Sequence, residues 1–587
     1  MTLNETKVDP FSLEIVKDSL LATGDEMFIA LAKTSMSPII YEVLDYASGL
    51  TDSKGQLLTQ GNGVTGFIGM LSFMVKQTLK KYSDKGELKP GDIIVINDPY
   101  GGGGSHLSDV GLVMPIFYEN ELVAFSANKA HWTEVGGKDP GSFTNDSRDI
   151  FQEGLQFPSV KLYDGGQLNE GLVEIIRSNV RFPDLSLGDM WAQVAALKTG
   201  ERRVKEICEK HGKETVLSAI NNQLDHGETI SKQELEKLPK GTFTANGYVE
   251  TDGIGNGPFP IQVEVTVTDD EFVCDFRGSS PQVPGPVNCS YTGLASAVRT
   301  IFLAITNPDQ NVNDGVFRQL KIITDEKSIM SAERPAPTSN YFETMLGCTD
   351  LIWKALAPYI PHRLAAAHLL SVCSVTLTGS HQDTHEPFLI VEPSVGGWGG
   401  ADGQDGASGQ FCILDGETYN VPVEVAETRY GVNIDEYSLR VDGTGAGEYI
   451  GGKGVIRSYR ALTDGQEATI TFGRNQYRLW GTGGGLEGSV NEFYINKANG
   501  EVDGPFGVYP RYSLQKNDVL KLMTATGGGY GNPLKRPTEQ VVNDVKNEYY
   551  TVEEAKSLFG VEIDPTTFEY QELNTRKSFE KTTRNGN

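Results

Sequence analysis

Two histidines and one aspartate form the clearest chemical pattern in this sequence. His106 and Asp109 lie three residues apart, directly after the glycines at 101–104, and His131 stands at the end of the second predicted strand beyond them. Imidazole and carboxylate groups together suit a divalent transition metal such as Zn, Mn or Fe. Three protein ligands leave a coordination position for water, as a hydrolytic metal site requires. In the alternative interpretation, His106 caps a loop and His131 is a hydrogen-bonded histidine of the core.

Two acidic residues near these histidines in the sequence could complete the site. Asp45 and Glu134 are candidates for a further metal ligand or for a general base, the group that takes up a proton during catalysis. Taken alone, Asp45 would be a carboxylate of a turn or a helix cap, and Glu134 would be a solvated surface charge.

A second, looser group of histidines lies further along the chain. It consists of His362, His368, His381 and His385. The last two flank Asp383, but the stretch 379–386 is predicted to be an exposed turn, so we do not assign a second metal site to it.

The sequence lacks the motifs of an ATPase or a serine hydrolase. The pattern G-x-x-x-x-G-K-[ST] is absent, and the stretch 451–454 (Gly-Gly-Lys-Gly) lacks the Ser or Thr that would bind Mg²⁺. The nucleophile elbow G-x-S-x-G is also absent. We therefore expect no complete ATP site in this chain, and chemistry that is assisted by a metal or depends on a partner.

Composition excludes several other classes of function. The 587 residues carry a net charge of -27, which would repel a nucleic-acid backbone or an anionic membrane. The N-terminus has neither the basic nor the apolar region of a secretory signal, and no apolar run approaches the ~18 residues of a membrane span. The six cysteines are scattered without a C-x-x-C pair, as is typical of reduced structural cysteines. These features together predict a cytoplasmic protein.

Short strands and helices must position the predicted metal site. A helix is expected from Pro10, with Asp9 as its N-cap, because apolar residues follow at helical spacing. Two strands are predicted around the turn 52–55. Further strands are predicted at 93–96, 110–117 and 122–130, and the last of them leads directly into His131. The other predicted helices lie at 67–82, 172–180, 187–208 and 214–238.

Beyond residue 239 the pattern changes to β structure. Alternating apolar and polar residues at 261–267 predict a half-buried strand within a β region that reaches residue 323. The remaining predicted elements are helices at 342–357 and 365–372, glycine-rich strands across 389–524, and a polar tail from 537 with one weak helix at 552–558.

The predicted fold class is α+β, multidomain and β-rich, with mixed or antiparallel sheets and an N-terminal helical-plus-sheet metal-binding region. We predict four parts, which are a metal-binding catalytic region (1–238), a β-rich middle domain (239–330), a glycine-rich α+β region (331–536) and a polar tail (537–587).

Several motifs resemble the hydantoinase B family, and they occur in family order over most of residues 10–533. They include Asn97-Asp98-Pro99-Tyr100, His106-Leu107-Ser108-Asp109, Ala130-His131, Gly136-Gly137, Gln152-Glu153-Gly154-Leu155, Gly403-Gln404-Asp405-Gly406 and Gly527-Gly528-Gly529-Tyr530-Gly531. This family includes the B subunits of ATP-dependent N-methylhydantoinases and caprolactamase, the corresponding half of 5-oxoprolinase, and subunits of acetone and acetophenone carboxylases.

The resemblance implies a divalent metal on His106, Asp109 and His131, with Asp45 as a further candidate ligand. Many relatives read His-His-x-Asp-x-Gly-Gly where this chain has Trp132 and Glu134 in place of the second histidine and the aspartate. This departure implies a different substrate. Trp132 is predicted to provide an apolar wall for a ring or an alkyl chain; its alternative is a plain core tryptophan.

The resemblance also implies a division of labour between two subunits. A hydantoinase A-type partner, which holds ATP and Mg²⁺, would phosphorylate the oxygen of a lactam or hydantoin amide. This chain would then open the ring with water at its metal, with Glu134 or another carboxylate as base. The complex is expected to be a heterotetramer or larger.

Two alternative functions stay open. The chain could be a subunit of an acetone- or acetophenone-type carboxylase, in which an enol phosphate attacks carboxyphosphate or bicarbonate held at the metal. It could also be a non-catalytic scaffold of a large complex, and such a scaffold need not hold a stoichiometric metal.

Overall fold

The computed structural model describes residues 9–584, apart from residues 62, 84, 309–310 and 417. The chain forms two compact units, Met1–Ile352 with Ile413–Val421, and Trp353–Cys412 with Pro422–Asn587. Both units combine helices with sheets, so the predicted α+β multidomain class is confirmed. The four-part division stays a prediction. Among the described residues, no helix combines the length and the apolar character that a membrane crossing requires.

The helices of the first unit follow the predicted pattern closely. The side chain of Asp9 accepts a hydrogen bond from the Ser12 amide at 3.1 Å, and Pro10 begins the first helix as expected. The helices are α1 (Pro10–Thr34), α2 (Pro38–Tyr41), α3 (Met70–Tyr82), α4 (Glu170–Asn179), α5 (Pro183–His211), α6 (Lys213–Lys237), α7 (Tyr291–Thr306) and α8 (Tyr341–Leu356), the last of which begins in this unit.

A seven-stranded antiparallel sheet forms the framework of the first unit. Its strands are β1 (Tyr46–Asp52), β2 (Leu57–Gln60), β3 (Ile93–Ile96), β4 (Asp109–Tyr118), β5 (Glu121–His131), β6 (Val160–Asp164) and β7 (Gln167–Leu168). Their order across the sheet is β2-β1-β5-β4-β3-β6-β7. Strands β4 and β5 form a hairpin in which Asp109 lies opposite His131.

The two faces of this sheet pack against different helices. On β4, Val110 and Leu112 belong to the cluster that contains residues of α1, α5 and α6, whereas Val113 packs in the cluster with α3. Because side chains alternate along a strand, Asp109 shares the α3 face with Val113. Gly111 lies on this face too, where an added Cβ would come 2.1 Å from the Met74 side chain of α3.

A second sheet of the first unit confirms the alternation seen in the sequence. Its strands are β8 (Gly241–Val249), β9 (Phe259–Val267), β10 (Phe272–Asp275) and β11 (Leu320–Ile323), in the order β11-β10-β9-β8. Strands β10 and β11 run parallel, and the other neighbours are antiparallel. On β9, the apolar residues of 261–267 are buried, which leaves the polar residues between them on the outer face.

The second unit contains two larger sheets and one small sheet, all antiparallel. Their orders are β13-β12-β16-β19, β14-β15-β20-β17-β18 and β21-β22. The strands are β12 (Ser374–Ser380), β13 (Pro387–Glu392), β14 (Val432–Leu439), β15 (Val455–Ala461), β16 (Gln466–Thr471), β17 (Glu492–Asn496), β18 (Val502–Phe506), β19 (Val508–Leu514), β20 (Val519–Met523), β21 (Val561–Ile563) and β22 (Tyr570–Glu572). The helices are α9 (Val423–Arg429), α10 (Thr538–Lys546), α11 (Val552–Phe559) and α12 (Asn574–Arg584).

Two predictions for the second unit are wrong. The stretch 365–372 is not helical, because its backbone bonds to distant loops, with the Ala366 amide on the Gly400 carbonyl at 2.8 Å and the Ala367 amide on the Trp480 carbonyl at 3.0 Å. The C-terminal tail is not merely polar with one helix. Over residues 537–584 it forms three helices and a two-stranded sheet, and several of its apolar residues are buried in a cluster with Ala446 and Ile450.

Candidate metal centre

The β4–β5 hairpin brings the three predicted ligands together. Asp109 is the first residue of β4, His131 is the last residue of β5, and His106 precedes β4 by three residues. One possible ligand atom from each of the three side chains lies within 4.8 Å of the other two. All three residues are buried, with only 2–3% of their surface exposed. Three residues that the sequence placed near one another thus converge at one point on the α3 face of the sheet.

The hydrogen bond of His106 determines which ring nitrogen can bind a cation. Nδ1 lies 2.9 Å from the Ser339 carbonyl oxygen, which can only accept, so Nδ1 must carry a hydrogen. Nε2 lies 3.3 Å from Oδ1 of Asp109. A lone pair on Nε2 would face a carboxylate oxygen there, so either a proton or a metal ion must lie between them.

The ring of His131 is the part of the group most available to a metal ion. Neither of its ring nitrogens has a hydrogen-bond partner, although both are buried. Burial and the neighbouring His106 lower the pKa of His131 to about 3, so the ring is neutral and can offer a lone pair. Native proteins rarely leave buried polar groups without a partner, and binding an ion or a water is one way to satisfy them. This arrangement argues against the alternative of a hydrogen-bonded core histidine.

Asp109 is held through one of its two carboxylate oxygens. Oδ2 accepts hydrogen bonds from the Ser105 hydroxyl and, at 3.2 Å, from the Tyr341 hydroxyl. Lys129 Nζ lies 3.8 Å from the same oxygen. Burial alone would raise the pKa of Asp109, but the charges of His106 and Lys129 outweigh it and hold the pKa well below its usual range. Oδ1, the oxygen nearer to His106, is thereby turned toward the imidazoles.

Lys129 is a buried cation that the sequence analysis missed. It has no exposed surface, and its ammonium donates to the Ser105 hydroxyl at 2.5 Å and the Gly103 carbonyl at 3.3 Å. Burial lowers the pKa of Lys129 to about 8, although Asp109 and Asp45 oppose the shift. Because Lys129 precedes His131 by two residues on β5, strand periodicity was the signal that could have placed both side chains on one face.

Asp45 lies beside the centre but is not one of the three converging side chains. Its backbone carbonyl accepts a hydrogen bond from the His131 amide at 3.0 Å. The residue is half-buried, and burial together with the charges of Asp109 and Asp415 raises the pKa of its carboxyl group well above the usual range. Its role as a ligand or base stays a prediction.

The family follows from comparison with known sequences. The sequence profile described as Hydantoinase B/oxoprolinase matches residues 9–533. The chain belongs to this family. The B subunit of a putative D-/L-hydantoinase from Pseudomonas sp. (strain NS671) is 33% identical to this chain over 97% of this chain and 98% of its own length.

Two solved structures share the fold over nearly the whole chain. The crystal structure of ATP-dependent caprolactamase from Pseudomonas jessenii has a TM-score of 0.87 and 26% identity, covering 98% of this chain and 99% of the other. A nucleotide-free acetone carboxylase structure has a TM-score of 0.88, covering 100% of this chain and 84% of the other. The second match has only 18% identity, so it concerns the fold alone.

Glu134 is buried in this hydantoinase B chain, so the alternative of a solvated surface charge is wrong. Its carboxylate accepts hydrogen bonds from the Arg181 amide and, at 3.0 Å, from the Arg181 guanidinium. Burial raises the pKa of Glu134, although Arg181 opposes the shift. The predicted role of Glu134 as a general base stays a prediction.

Trp132 directly follows β5 and packs on the opposite face of the sheet from His131. It is fully buried in the cluster that contains α1, α5 and α6, and its indole nitrogen donates to the Gln193 side chain at 2.7 Å. Its contact with substrate stays a prediction. The aromatic rings that do contact the imidazoles are Phe143, which stacks on His131 at 5.2 Å, and Tyr341, which lies 5.1 Å from His106.

The second group of histidines forms no comparable centre. His381 and His385 belong to an irregular turn between β12 and β13, and the His381 ring nitrogen accepts a hydrogen bond from the Asp383 amide at 3.2 Å. Within the part of the chain that the structure describes, His106, Asp109 and His131 are the one group of metal-ligand type that converges in this way.

Proposed function

We propose that this chain is the metal-holding, hydrolytic subunit of an ATP-dependent cyclic amidohydrolase. Its substrate would be a lactam or hydantoin whose amide oxygen has been phosphorylated by a hydantoinase A-type partner that binds ATP and Mg²⁺. Support comes from family membership and from the full-length similarity to a hydantoinase B-type chain and to caprolactamase. The observation that carries the proposal is the convergence of two imidazoles and one carboxylate, with both nitrogens of His131 lacking a partner.

The residues at the centre fit a divalent cation such as Zn, Mn or Fe. Nε2 of His106, Oδ1 of Asp109 and one nitrogen of His131 would hold it, a donor set typical of hydrolytic sites. When bound, such an ion acts as a Lewis acid and lowers the pKa of water toward ~7.

The surrounding side chains of this chain would orient the ligands and handle protons. Ser339 holds the tautomer of His106, while Lys129 and Tyr341 direct the carboxylate of Asp109. Of the two predicted bases, Asp45 is the better placed. Its carboxyl group lies close enough to respond to the charge of Asp109, whereas the carboxylate of Glu134 is engaged by Arg181.

The decisive test is the His106→Ala variant, purified together with the partner subunit. We expect loss of stoichiometric metal and a fall of at least about 100-fold in ATP-dependent ring opening, because one of three ligands is removed. The assay would screen hydantoins, lactams and oxoproline for ring opening and for substrate-stimulated ATP hydrolysis. His226→Ala, which changes an exposed histidine of α6, is the matched control. Full ring opening by His106→Ala would exclude the metal role.

A carboxylase subunit is the second candidate, favoured by the shared fold with acetone carboxylase. Incorporation of labelled bicarbonate into product would support it, and ring opening without incorporation would support the hydrolase. Metal analysis of the purified wild-type chain separates both from a scaffold. We place the complex in the cytoplasm as a heterotetramer or larger.

A further inference from the structure

We propose that Glu153 is a positioning residue that keeps all three metal ligands in place without touching any of them. The proposal rests on the metal centre of the proposed function and adds a residue to which that function assigns no role. Glu153 is buried, with 1% of its surface exposed, and its carboxylate joins two loops that are far apart in the sequence. Each loop contacts ligands of the centre.

The carboxylate of Glu153 accepts an unusually dense set of hydrogen bonds. The Thr338 amide donates to both of its oxygens, at 3.0 and 3.1 Å, and the Ser339 amide donates to one of them at 3.1 Å. The Ser147 hydroxyl donates to the same carboxylate at 2.7 Å. These donors come from two segments, 338–339 and 142–147, so one side chain holds both.

The first of these loops contacts two of the ligands. The Ser339 carbonyl accepts the hydrogen of His106 Nδ1 at 2.9 Å and so determines the tautomer of that ring. Two residues later, the Tyr341 hydroxyl donates to Oδ2 of Asp109 at 3.2 Å. Because Glu153 accepts from the Ser339 amide, the Ser339 carbonyl is held in place from its other side.

The second loop contacts the third ligand. Phe143 stacks on the ring of His131, with 5.2 Å between centroids and 15° between planes. The loop is joined to the first one directly, because the Thr144 amide donates to the Ser339 hydroxyl at 2.9 Å. The segment that carries Glu153 is itself anchored to the chain just beyond β5, where the Leu155 amide donates to the Val135 carbonyl at 2.8 Å.

These contacts give Glu153 a specific effect on metal binding. In Glu153→Gln, an NH2 group replaces one of the two oxygens that accept from the Thr338 amide, so a donor would face a donor there. The loop would move to find new partners, and the Ser339 carbonyl would move with it. Groups that orient metal ligands in this way typically contribute about 10- to 100-fold to metal affinity.

The test compares metal binding by Glu153→Gln and by the wild-type full-length chain. Glutamine keeps the size of the side chain but places an amide donor against backbone donors. We expect the Kd for Zn²⁺, measured by competition with a chelator, to rise about 10- to 100-fold. We also expect the visible spectrum of the Co²⁺-loaded variant to change, because the ligand geometry changes. A second variant, Ser147→Ala, removes a single hydrogen bond to Glu153 and should raise the Kd several-fold, which keeps the test open if Glu153→Gln does not fold.

Asp92→Asn is the matched control. Asp92 is another fully buried carboxylate of the first unit that accepts from backbone amides, those of Lys89 at 2.9 Å and Gly165 at 2.7 Å, but it contacts neither loop. We expect its substitution to lower stability without changing the Kd. An unchanged Kd in Glu153→Gln, or an equally large rise of the Kd in Asp92→Asn, would overturn the proposed role of Glu153 but not the metal centre. Failure of the wild-type chain to bind metal would instead overturn the centre itself.

Discussion

At the scale of single residues, the charge of the centre depends on Lys129 as much as on the predicted ligands. A lysine within an apolar strand is normally expected to reach solvent, and this one does not. Its ammonium faces Asp109 and the Ser105 hydroxyl, and it lies 4.9 Å from the centre of the Phe67 ring. In the absence of a metal ion, the positive charge of Lys129 balances the negative charge of the buried Asp109 carboxylate.

Replacing Lys129 by Met should therefore have an effect that depends on metal. Without metal, the buried Asp109 carboxylate loses its cationic partner, and we expect the free energy of unfolding to fall by about 3 kcal/mol. With a divalent ion bound, the charge of the ion balances that of Asp109, so the fall in the free energy of unfolding should be smaller. Denaturant titrations in EDTA and in excess Zn²⁺ measure both values.

Lys198→Met provides the control for this experiment. Lys198 is an exposed lysine of α5 whose ammonium lies 5.4 Å from the centre of the Tyr163 ring. Replacing Lys198 should lower the free energy of unfolding only slightly, both in EDTA and in excess Zn²⁺. An equal fall in the free energy of unfolding of Lys129→Met with and without metal would contradict the proposed charge balance.

At the scale of elements, one buried carboxylate joins α5 to the turn between α1 and α2. Asp189 on α5 accepts hydrogen bonds from the Met36 amide at 2.8 Å and the Ser37 amide at 3.1 Å. Gly188 beside it allows the close approach, since an added Cβ would lie 2.3 Å from the Met36 side chain. Burial raises the pKa of Asp189 to about 6, even though the Ser37 and Met36 donors oppose the shift.

This raised pKa predicts a pH dependence of stability. Between about pH 4 and pH 6, the folded protein keeps a proton that the unfolded chain has released, so the free energy of unfolding falls as the pH rises. The stabilisation by protonated Asp189 is lost as the pH rises through its folded-state pKa, and it amounts to about 3 kcal/mol of the free energy of unfolding at most. In Asp189→Asn this part of the pH dependence should disappear, as measured by denaturant titrations across that range.

Asp184→Asn is the matched control, because it removes an exposed carboxylate from the first turn of the same helix. Stability curves of wild type and Asp189→Asn that run parallel from pH 4 to pH 6 would contradict the prediction.

At the scale of the whole molecule, the C-terminal tail is a folded part of the second unit. Val541, Phe559 and Val561 have no exposed surface and pack in one cluster with Ala446 and Ile450. Arg536, directly before the tail, bonds both to Asp405 and to Asp544. Sequence composition suggested a polar appendage, because the few apolar residues are spread among charged ones and only folding collects them.

Ending the chain after Arg536 should therefore destabilise the second unit. Each large apolar side chain of the cluster contributes about 1.5–3 kcal/mol by burial, and the truncation removes several of them while exposing Ile450. We expect an earlier unfolding transition and increased binding of a hydrophobic dye. Phe559→Ala should lower the free energy of unfolding by about 3–5 kcal/mol, whereas Ser557→Ala on the exposed face of α11 should not. A truncated chain with wild-type stability would contradict this view.

The accuracy of the sequence predictions differs between regular and irregular regions. The strand at 93–96 and the helices around 187–208 and 214–238 are found close to their predicted bounds, because an apolar period reflects a local pattern of burial. The prediction of a helix at 365–372 fails because the apolar residues of this stretch are buried by glycine-rich loops and not along one face of a helix. Gly399 makes one such contact, since an added Cβ would lie 2.0 Å from the Ala366 carbonyl oxygen.

The sequence by itself determined the hairpin of the candidate metal centre and pointed to the three side chains that converge there. Strand periodicity and the short β4–β5 connection place Asp109 opposite His131, and three residues separate His106 from β4. Only the tertiary structure decided what holds these side chains. Ser339 and Tyr341 contact them from up to 233 residues away, and such contacts depend on packing between distant segments that leaves no periodic trace in the chain.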